Sequence, residues 1–244
     1  MIFQKNTVLI TGGSSGIGLE LAKRLIQKDN QVIICGRSQE KLQKAKQQVP
    51  KVKTFQCDVS QKEDCIKLVD WIQANYPNCN VLINNAAIVH VTDFCQDDQI
   101  LEKTELEIRT NLMGPIVLSK LMMPLLKKNA GAKLINITSG LAYTPKAAYP
   151  IYNATKAALH SFTQVLRKQM HNSPVSVIEV LFPAVDTPWH KGNPPGFAIP
   201  PEEAVQEMLQ KLEKGALEIK VGKVKMLYQL NRLSPSIASK LINK

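Results

Sequence analysis

Short apolar runs alternate with amphipathic segments along nearly the whole chain, and few folds satisfy that alternation. Thr7-Val-Leu-Ile10 is the first run, read as a strand buried on both faces. After it, Leu21, Ala22, Leu25 and Ile26 recur at helical spacing, with Lys23, Arg24 and Lys28 on the opposite face. The pattern then repeats. It predicts strands at 31–35, 52–57, 81–83, 133–138, 175–181 and 217–221, and helices at 38–48, 61–75, 103–128, 151–171 and 202–214. Apolar strands separated by helices predict an α/β fold: a Rossmann-type doubly wound parallel sheet of about seven strands, with helices on both faces. With 244 residues, 44% of them hydrophobic, the chain suits one domain over 1–244 with a large core. Such a sheet binds ligands beyond the carboxyl ends of its strands, where the strand order reverses.

The first strand leads into Thr11-Gly-Gly-Ser-Ser-Gly-Ile-Gly18 and then into a helix. Gly12 suits a tight turn, Gly16 a close approach of backbone to a pyrophosphate, and Gly18 close packing of helix on strand. Ser14, Ser15 and Ile17 complete this stretch, and the helix N-terminus brings free N–H groups and a positive dipole. A bare glycine-rich turn is the alternative; the strand before and the helix after favour a phosphate cradle.

Tyr152 and Lys156 stand four residues apart, and Ser139 follows the predicted fifth strand. One helical turn puts the phenol and the ammonium on one face. A phenol titrates near pH 10, and a lysine cation beside it stabilises the phenolate. That pairing is the chemistry of a general acid/base, with the Ser139 hydroxyl placed to hold a substrate oxygen. The pair taken alone also fits a packed tyrosine with a solvated lysine.

The glycine spacing T-G-x-x-x-G-x-G resembles the short-chain dehydrogenase/reductase family, and further motifs follow in that family's order. They are Asn84-Asn-Ala-Ala87 after the fourth strand, Asn111 in the long helix, Ser139, Tyr152 and Lys156, and Pro183-Ala-Val-Asp-Thr187 after the sixth strand. The resemblance implies a nicotinamide-dependent oxidoreductase acting on a carbonyl or alcohol. Tyr152 would be the general acid/base and Lys156 would lower its pKa and bind the nicotinamide ribose. Ser139 would hold the substrate oxygen, and Asn111 would keep a water relay behind the lysine. Asp58 and Val59, after the third strand, and Asn85 and Ala86 would line the adenosine side. Pro183, Val185 and Thr187 would line the nicotinamide side. The family usually has glycine where this chain has Ala87, which puts that turn in question. Residues 152–162 and 183–188 more loosely resemble a bacterial subgroup found with teichoic-acid D-alanylation genes.

The second strand ends Cys35-Gly36-Arg37, where an NAD enzyme usually places an acid for the ribose hydroxyl. A guanidinium here suits a 2′-phosphate, so the expected cofactor is NADP(H) over NAD(H), with Lys41 and Lys44 adding positive potential. The alternative is that Arg37 only opens a solvated helix. His90, Tyr143, Tyr149, Trp189 and Phe197 fall in loops expected to rim the site and to favour an apolar substrate, or simply to pack those loops. Residues 187–196 are rich in proline and glycine and read as a loop or lid.

The net charge of +11 favours an anionic partner. No nucleic-acid signature appears, so none is expected. The four histidines show no ligand spacing, so no metal is expected. The five cysteines form no C-x-x-C pair and suit reduced thiols. No apolar run is long enough for a membrane span, and no charged-then-apolar leader precedes the first strand, which predicts a cytoplasmic protein. The tail over 222–244 is basic and amphipathic. No Asp or Glu occurs from Ile219 onward, and Met226, Leu227, Leu230, Leu233, Ile237 and Leu241 recur at helical spacing around Pro235. Such a tail packs on its own domain or a sister subunit, or lies on an anionic membrane. The family resemblance implies a homodimer or homotetramer. Two other functions fit parts of the chain: an NADP(H)-binding redox sensor, and a membrane-docked regulator with little chemistry.

Overall fold

A computed structural model describes residues 3–190 and 192–243. Seven strands form one sheet in the order β3-β2-β1-β4-β5-β6-β7, and every paired neighbour runs parallel. They are β1 Thr7–Thr11, β2 Gln31–Gly36, β3 Lys53–Gln56, β4 Cys79–Asn84, β5 Lys133–Ser139, β6 Ser176–Phe182 and β7 Glu218–Lys220. The helices are α1 Gly16–Gln27, α2 Gln39–Gln48, α3 Lys62–Asn75, α4 Ile100–Ile108, α5 Gly114–Lys128, α6 Pro150–Gln169, α7 Pro201–Glu213, α8 Val224–Leu233 and α9 Pro235–Ile242. This is the Rossmann-type doubly wound architecture that the alternation predicts.

Strand β1 shows why its residues are apolar without interruption. Val8 and Ile10 point into a core layer with Leu21 and Leu25 of α1 and Val205, Met208 and Leu209 of α7. Leu9, between them, points to the other face, with Leu68 of α3 and Leu118 and Met122 of α5. Period-two alternation exists, but both faces are dry. Leu82 of β4 is fully buried in the second layer, against residues of α3 and α5. Leu82→Ala is expected to lower stability by about 3 kcal/mol in urea unfolding, from lost burial plus the cavity left behind.

The chain builds β1, β2 and β3 outward, then returns to lay β4 on the other side of β1. The strand order therefore reverses between β1 and β4, and the crevice lies at their carboxyl ends. The helical stretch predicted from about 103 to 128 begins earlier and is not uniform. Arg109–Met113 is a π-helical turn between α4 and α5, a local distortion often found at functional sites.

Candidate functional site

The cradle is assembled from three strand ends. The Thr11 hydroxyl accepts the backbone N–H groups of Asn85 and Ala86, each at 3.0 Å. The Asn85 amide donates to the Thr11 carbonyl at 2.9 Å, and the Gly12 N–H donates to the Cys35 carbonyl at 2.9 Å. Gly12 sits at φ +65°, a left-handed conformation that disfavours a side chain, and a Cβ there would lie 2.9 Å from the Ala86 Cα. Gly18 is constrained by space instead: its Cβ would lie 2.3 Å from the Gly12 carbonyl oxygen. Helix α1 has no side-chain cap and no acid in its first turn. Its N–H groups and dipole are thus open to an anion.

A cavity of about 810 Å³ starts at this cradle. Gly12, Ser14, Ser15, Gly16, Ile17 and Gly18 line it, as do Arg37, Asp58, Val59, Asn85, Ala86, Pro183, Val185 and Thr187. Arg37 stands just past β2 with its backbone held by Gln56, whose amide donates to the Arg37 carbonyl at 2.9 Å. Among the described residues no carboxylate forms an ion pair with it, and Ser14, Ser38 and Lys41 share its stretch of wall. Lys44 does not join them: it pairs with Glu40 at 2.6 Å on the exposed face of α2. Asp58 is fixed in turn, its Oδ1 accepting the Ser60 N–H at 2.9 Å. Ala87 also lines the wall. Its φ is not positive, since Lys5 and Asp29 are the non-glycine residues with positive φ among those described. The departure from glycine therefore brings no backbone strain at that turn. These features fit a dinucleotide: an open helix N-terminus, two glycines whose missing side chains leave room, and an unpaired guanidinium.

The same cavity runs on to Ser139, Tyr152 and Lys156. Strand β5 ends at Ser139, whose Oγ accepts the Leu141 N–H at 3.2 Å and starts a 3-10 turn over Gly140–Ala142. The Ser139 side chain also acts on the Tyr152 phenol, in the direction that favours its anion. Helix α6 sets Lys156 one turn beyond the tyrosine, with its Nζ 5.6 Å from the centre of the phenol ring. That Nζ donates to the Ile137 carbonyl at 2.9 Å. Burial lowers the lysine to about 8. Burial also pushes the Tyr152 phenol well above its ordinary range, with only Ser139 pulling it down. Lys156, whose ammonium is turned toward the Ile137 carbonyl, is not among the groups that act on this phenol in the protein alone.

Asn111 occupies the π turn and is fully buried. Its Oδ1 accepts the Ile88 N–H and its Nδ2 donates to the Ile88 carbonyl, both at 2.8 Å. It thus clamps the segment after β4 against the helix, with Thr155 of α6 3.3 Å from its Nδ2. Asn111 does not line the cavity; its neighbour Thr110 does.

Of the five rim residues, Tyr149, Trp189 and Phe197 line the cavity. Trp189 lies 5.7 Å from Tyr149 and 5.8 Å from Tyr152, ring centre to ring centre. His90 and Tyr143 lie elsewhere, contrary to expectation. The His90 Nδ1 is 2.8 Å from the Glu107 carboxylate, which also accepts the His90 N–H. The Tyr143 hydroxyl donates to Glu218 at 3.3 Å, and its ring packs on His160 and Tyr228. Polar partners, the buried Glu107 and the half-buried Glu218, hold both side chains away from the opening. The loop after β6 is closed at its base, where Asp186 N–H donates to the Ile199 carbonyl at 2.9 Å and Ile199 N–H to the Ala184 carbonyl at 3.1 Å. Lys191, within that loop, lies outside the described residues.

The far wall comes from residues that motif reading missed: Leu141, Lys146, and Val224, Met226, Leu227, Leu241 and Ile242 of α8 and α9. The tail packs on its own chain. Lys146 Nζ donates to the Ile242 carbonyl at 3.0 Å and Ala147 N–H to the Asn243 side chain at 2.6 Å. The helical stripe was visible in the sequence, but its spacing names a face and not what that face meets. Leu233, Ile237 and Leu241 of the same helices remain exposed. Among the described residues no cluster of His, Cys, Asp or Glu suits a metal ion, and no helix is long and apolar enough to cross a membrane.

Residues 6–195 match the sequence model of the short chain dehydrogenase family. The chain is 46% identical to the uncharacterized oxidoreductase DltE of Bacillus subtilis (strain 168) over 237 residues, covering 95% of this chain and 94% of that protein. It is 30% identical to an uncharacterized oxidoreductase of Staphylococcus aureus (strain MRSA252), over 73% of this chain and 78% of that one. Among solved structures it superposes on a short chain dehydrogenase from Burkholderia cenocepacia J2315 in complex with NADP, with TM-score 0.87, 24% identity and full coverage of both chains. A short chain dehydrogenase/reductase from Burkholderia phymatum in complex with NAD gives TM-score 0.85 at 16% identity over 96% of each chain. The match to the family covers more than half of the chain, and the relatives agree with it in both sequence and sheet: the chain belongs to the short chain dehydrogenase family of oxidoreductases.

Proposed function

We propose that the protein is an NADP(H)-dependent oxidoreductase that interconverts a carbonyl and an alcohol, with Tyr152 as general acid/base. One observation carries this reading: a single cavity joins the cradle at Gly12–Gly18 to the Ser139–Tyr152–Lys156 set. When bound, the nicotinamide supplies or accepts the hydride. Tyr152 holds the proton for the substrate oxygen. Its raised pKa keeps the phenol protonated at neutral pH, the form that a reduction needs. Ser139 offers its hydroxyl to the same oxygen, and Lys156 keeps a positive charge beside the ring. Asn111 orders the backbone after β4 behind them. The wall of Trp189, Tyr149, Phe197 and Leu227 suits an apolar substrate. Turnover of NADPH in a screen of apolar aldehydes and ketones tests the reading; no turnover with any of them would favour a redox sensor.

The pH dependence has a definite sign. Loss of the Lys156 proton removes the cation beside Tyr152. The reduction rate is therefore expected to be flat through neutral pH and to fall as pH rises through about 8, as a pH–rate profile would show.

The two solved neighbours hold NADP in one case and NAD in the other, so this fold accepts either. The choice falls to the residue after β2. Arg37, unpaired and on the cavity wall, supports NADP(H). Arg37→Ala is expected to weaken NADPH binding by about 10- to 100-fold, the value of a charge-assisted contact to phosphate, and to leave NADH binding unchanged. Fluorescence titration with both dinucleotides reads this directly; equal losses for the two would remove Arg37 from the role. Exposed apolar residues Ile108, Met113 and Val165, on the α4–α5 junction and α6, support a homo-oligomer through those helices.

A further inference from the structure

Tyr152, Lys156, His160 and Gln164 recur every four residues along one face of α6. The first two belong to the site described above; His160 does not touch the cavity. Its Nδ1 lies 2.9 Å from both carboxylate oxygens of Glu179. Its Nε2 lies 3.0 Å from the Gln164 amide. Glu179 is fully buried in the middle of β6. In the sheet it stands opposite Asn136 of β5. Its side chain therefore leaves the sheet on the face of Asn136 and Thr138, which α6 covers. The Thr138 hydroxyl donates to Glu179 Oε1 at 2.6 Å. The residue before Thr138 is Ile137, whose carbonyl receives the Lys156 ammonium.

A buried carboxylate is a costly choice for a central strand, because an apolar side chain would pack there without desolvating a charge. What it offers instead is a fixed negative potential. We propose that Glu179, oriented by Thr138 and His160, is a positioning residue of the site: the buried counter-charge of the Lys156 ammonium. This rests on the role given to Lys156 above.

The charges around this pair single Glu179 out. On α6 stand Tyr152 and His160, and on β5 the hydroxyls of Thr138 and Ser139. After β5 comes Tyr143, edge-on to the His160 ring at 5.1 Å. From β7, Glu218 and Lys220 pair with each other and act on His160 in opposite directions. Glu107 of α4 acts on Tyr152. Glu179 is the carboxylate that acts on Lys156, opposing the burial that lowers it. The same carboxylate raises His160, through their hydrogen bond.

The test is an NMR titration of Lys156, with 13C at the lysine Cε, in the protein without dinucleotide or substrate. The wild-type midpoint is expected near 8. Glu179→Gln keeps the shape and removes the charge, and is expected to lower that midpoint by about one pH unit. Glu179→Asp is expected to restore part of the shift. A merely structural glutamate would change thermal stability without moving the lysine, so an unmoved midpoint in a folded Glu179→Gln protein overturns the proposal. If Glu179→Gln does not fold, Glu179→Asp alone serves as the test. Its shorter side chain draws the carboxylate back from α6, so the Lys156 midpoint is expected to fall below the wild-type value; an unmoved midpoint overturns the proposal. A shifted lysine in a protein that turns over no carbonyl would leave the pair standing and sink the functional reading. Turnover with an unmoved lysine would do the reverse.

Discussion

Tyr152→Phe is expected to reduce NADPH-dependent carbonyl reduction by on the order of 10³-fold, the value of a positioned general acid. NADPH affinity should change by less than about twofold. The substitution removes one oxygen and keeps the ring. The contacts to Trp189 at 5.8 Å and Tyr149 at 6.4 Å survive, and with them the shape of the wall. Only the phenol oxygen is lost, the proton donor on which Ser139 acts. Single-turnover rates and fluorescence titration separate the two quantities. A variant retaining a substantial part of the wild-type rate would show that the proton comes from elsewhere. A variant that also failed to bind NADPH would show that the phenol shapes the cofactor site.

Gly18→Ala should act at the other end of the cavity and on the opposite quantity. Its methyl would lie 2.3 Å from the Gly12 carbonyl oxygen and 2.7 Å from the Asn85 amide nitrogen. Neither neighbour can retreat cheaply. Gly12 is held by its N–H bond to Cys35, and Asn85 by its bond to the Thr11 carbonyl. The first turn of α1 must shift instead, carrying its free N–H groups off the phosphate position. NADPH affinity is expected to fall about 100-fold or more, equivalent to about 2.7 kcal/mol. The melting temperature should fall too, because a close helix–strand contact is strained. Isothermal titration with a parallel melting curve checks both, and unchanged affinity would show that the cradle tolerates a wider approach.

Much of this architecture is legible in the chain itself. Uninterrupted apolar runs such as Val8–Ile10 of β1 and Val32–Cys35 of β2, each followed by a helix, leave a parallel sheet covered on both faces as the consistent arrangement. The cradle is legible for a similar reason: Gly12 and Gly18 answer to local sterics, which a few neighbouring residues define. Elements were less legible where the backbone departs from a regular period. The turn at Arg109–Met113 is π-helical, and no period in the flanking residues announces it. The rim of the site was legible only in part. Trp189 and Tyr149 face the cavity, while Tyr143 turned to Glu218 and His90 to Glu107. A loop aromatic or histidine takes the direction its hydrogen-bond partners offer, and those partners lie 75 and 17 residues away.

What the sequence by itself determined is local and periodic: the parallel sheet, the glycine turn, and the one-turn spacing that sets Lys156 beside Tyr152. The tertiary structure alone decided which distant groups meet those elements. It brought Leu227 and Leu241 of the tail to the cavity wall and joined Glu179 of β6 to His160 of α6, one turn beyond Lys156. It also made burial the largest influence on the Tyr152 phenol. The physical reason is that spacing along a chain names a face of a helix or strand. What that face touches, and how dry it becomes, depends on packing between segments far apart in sequence.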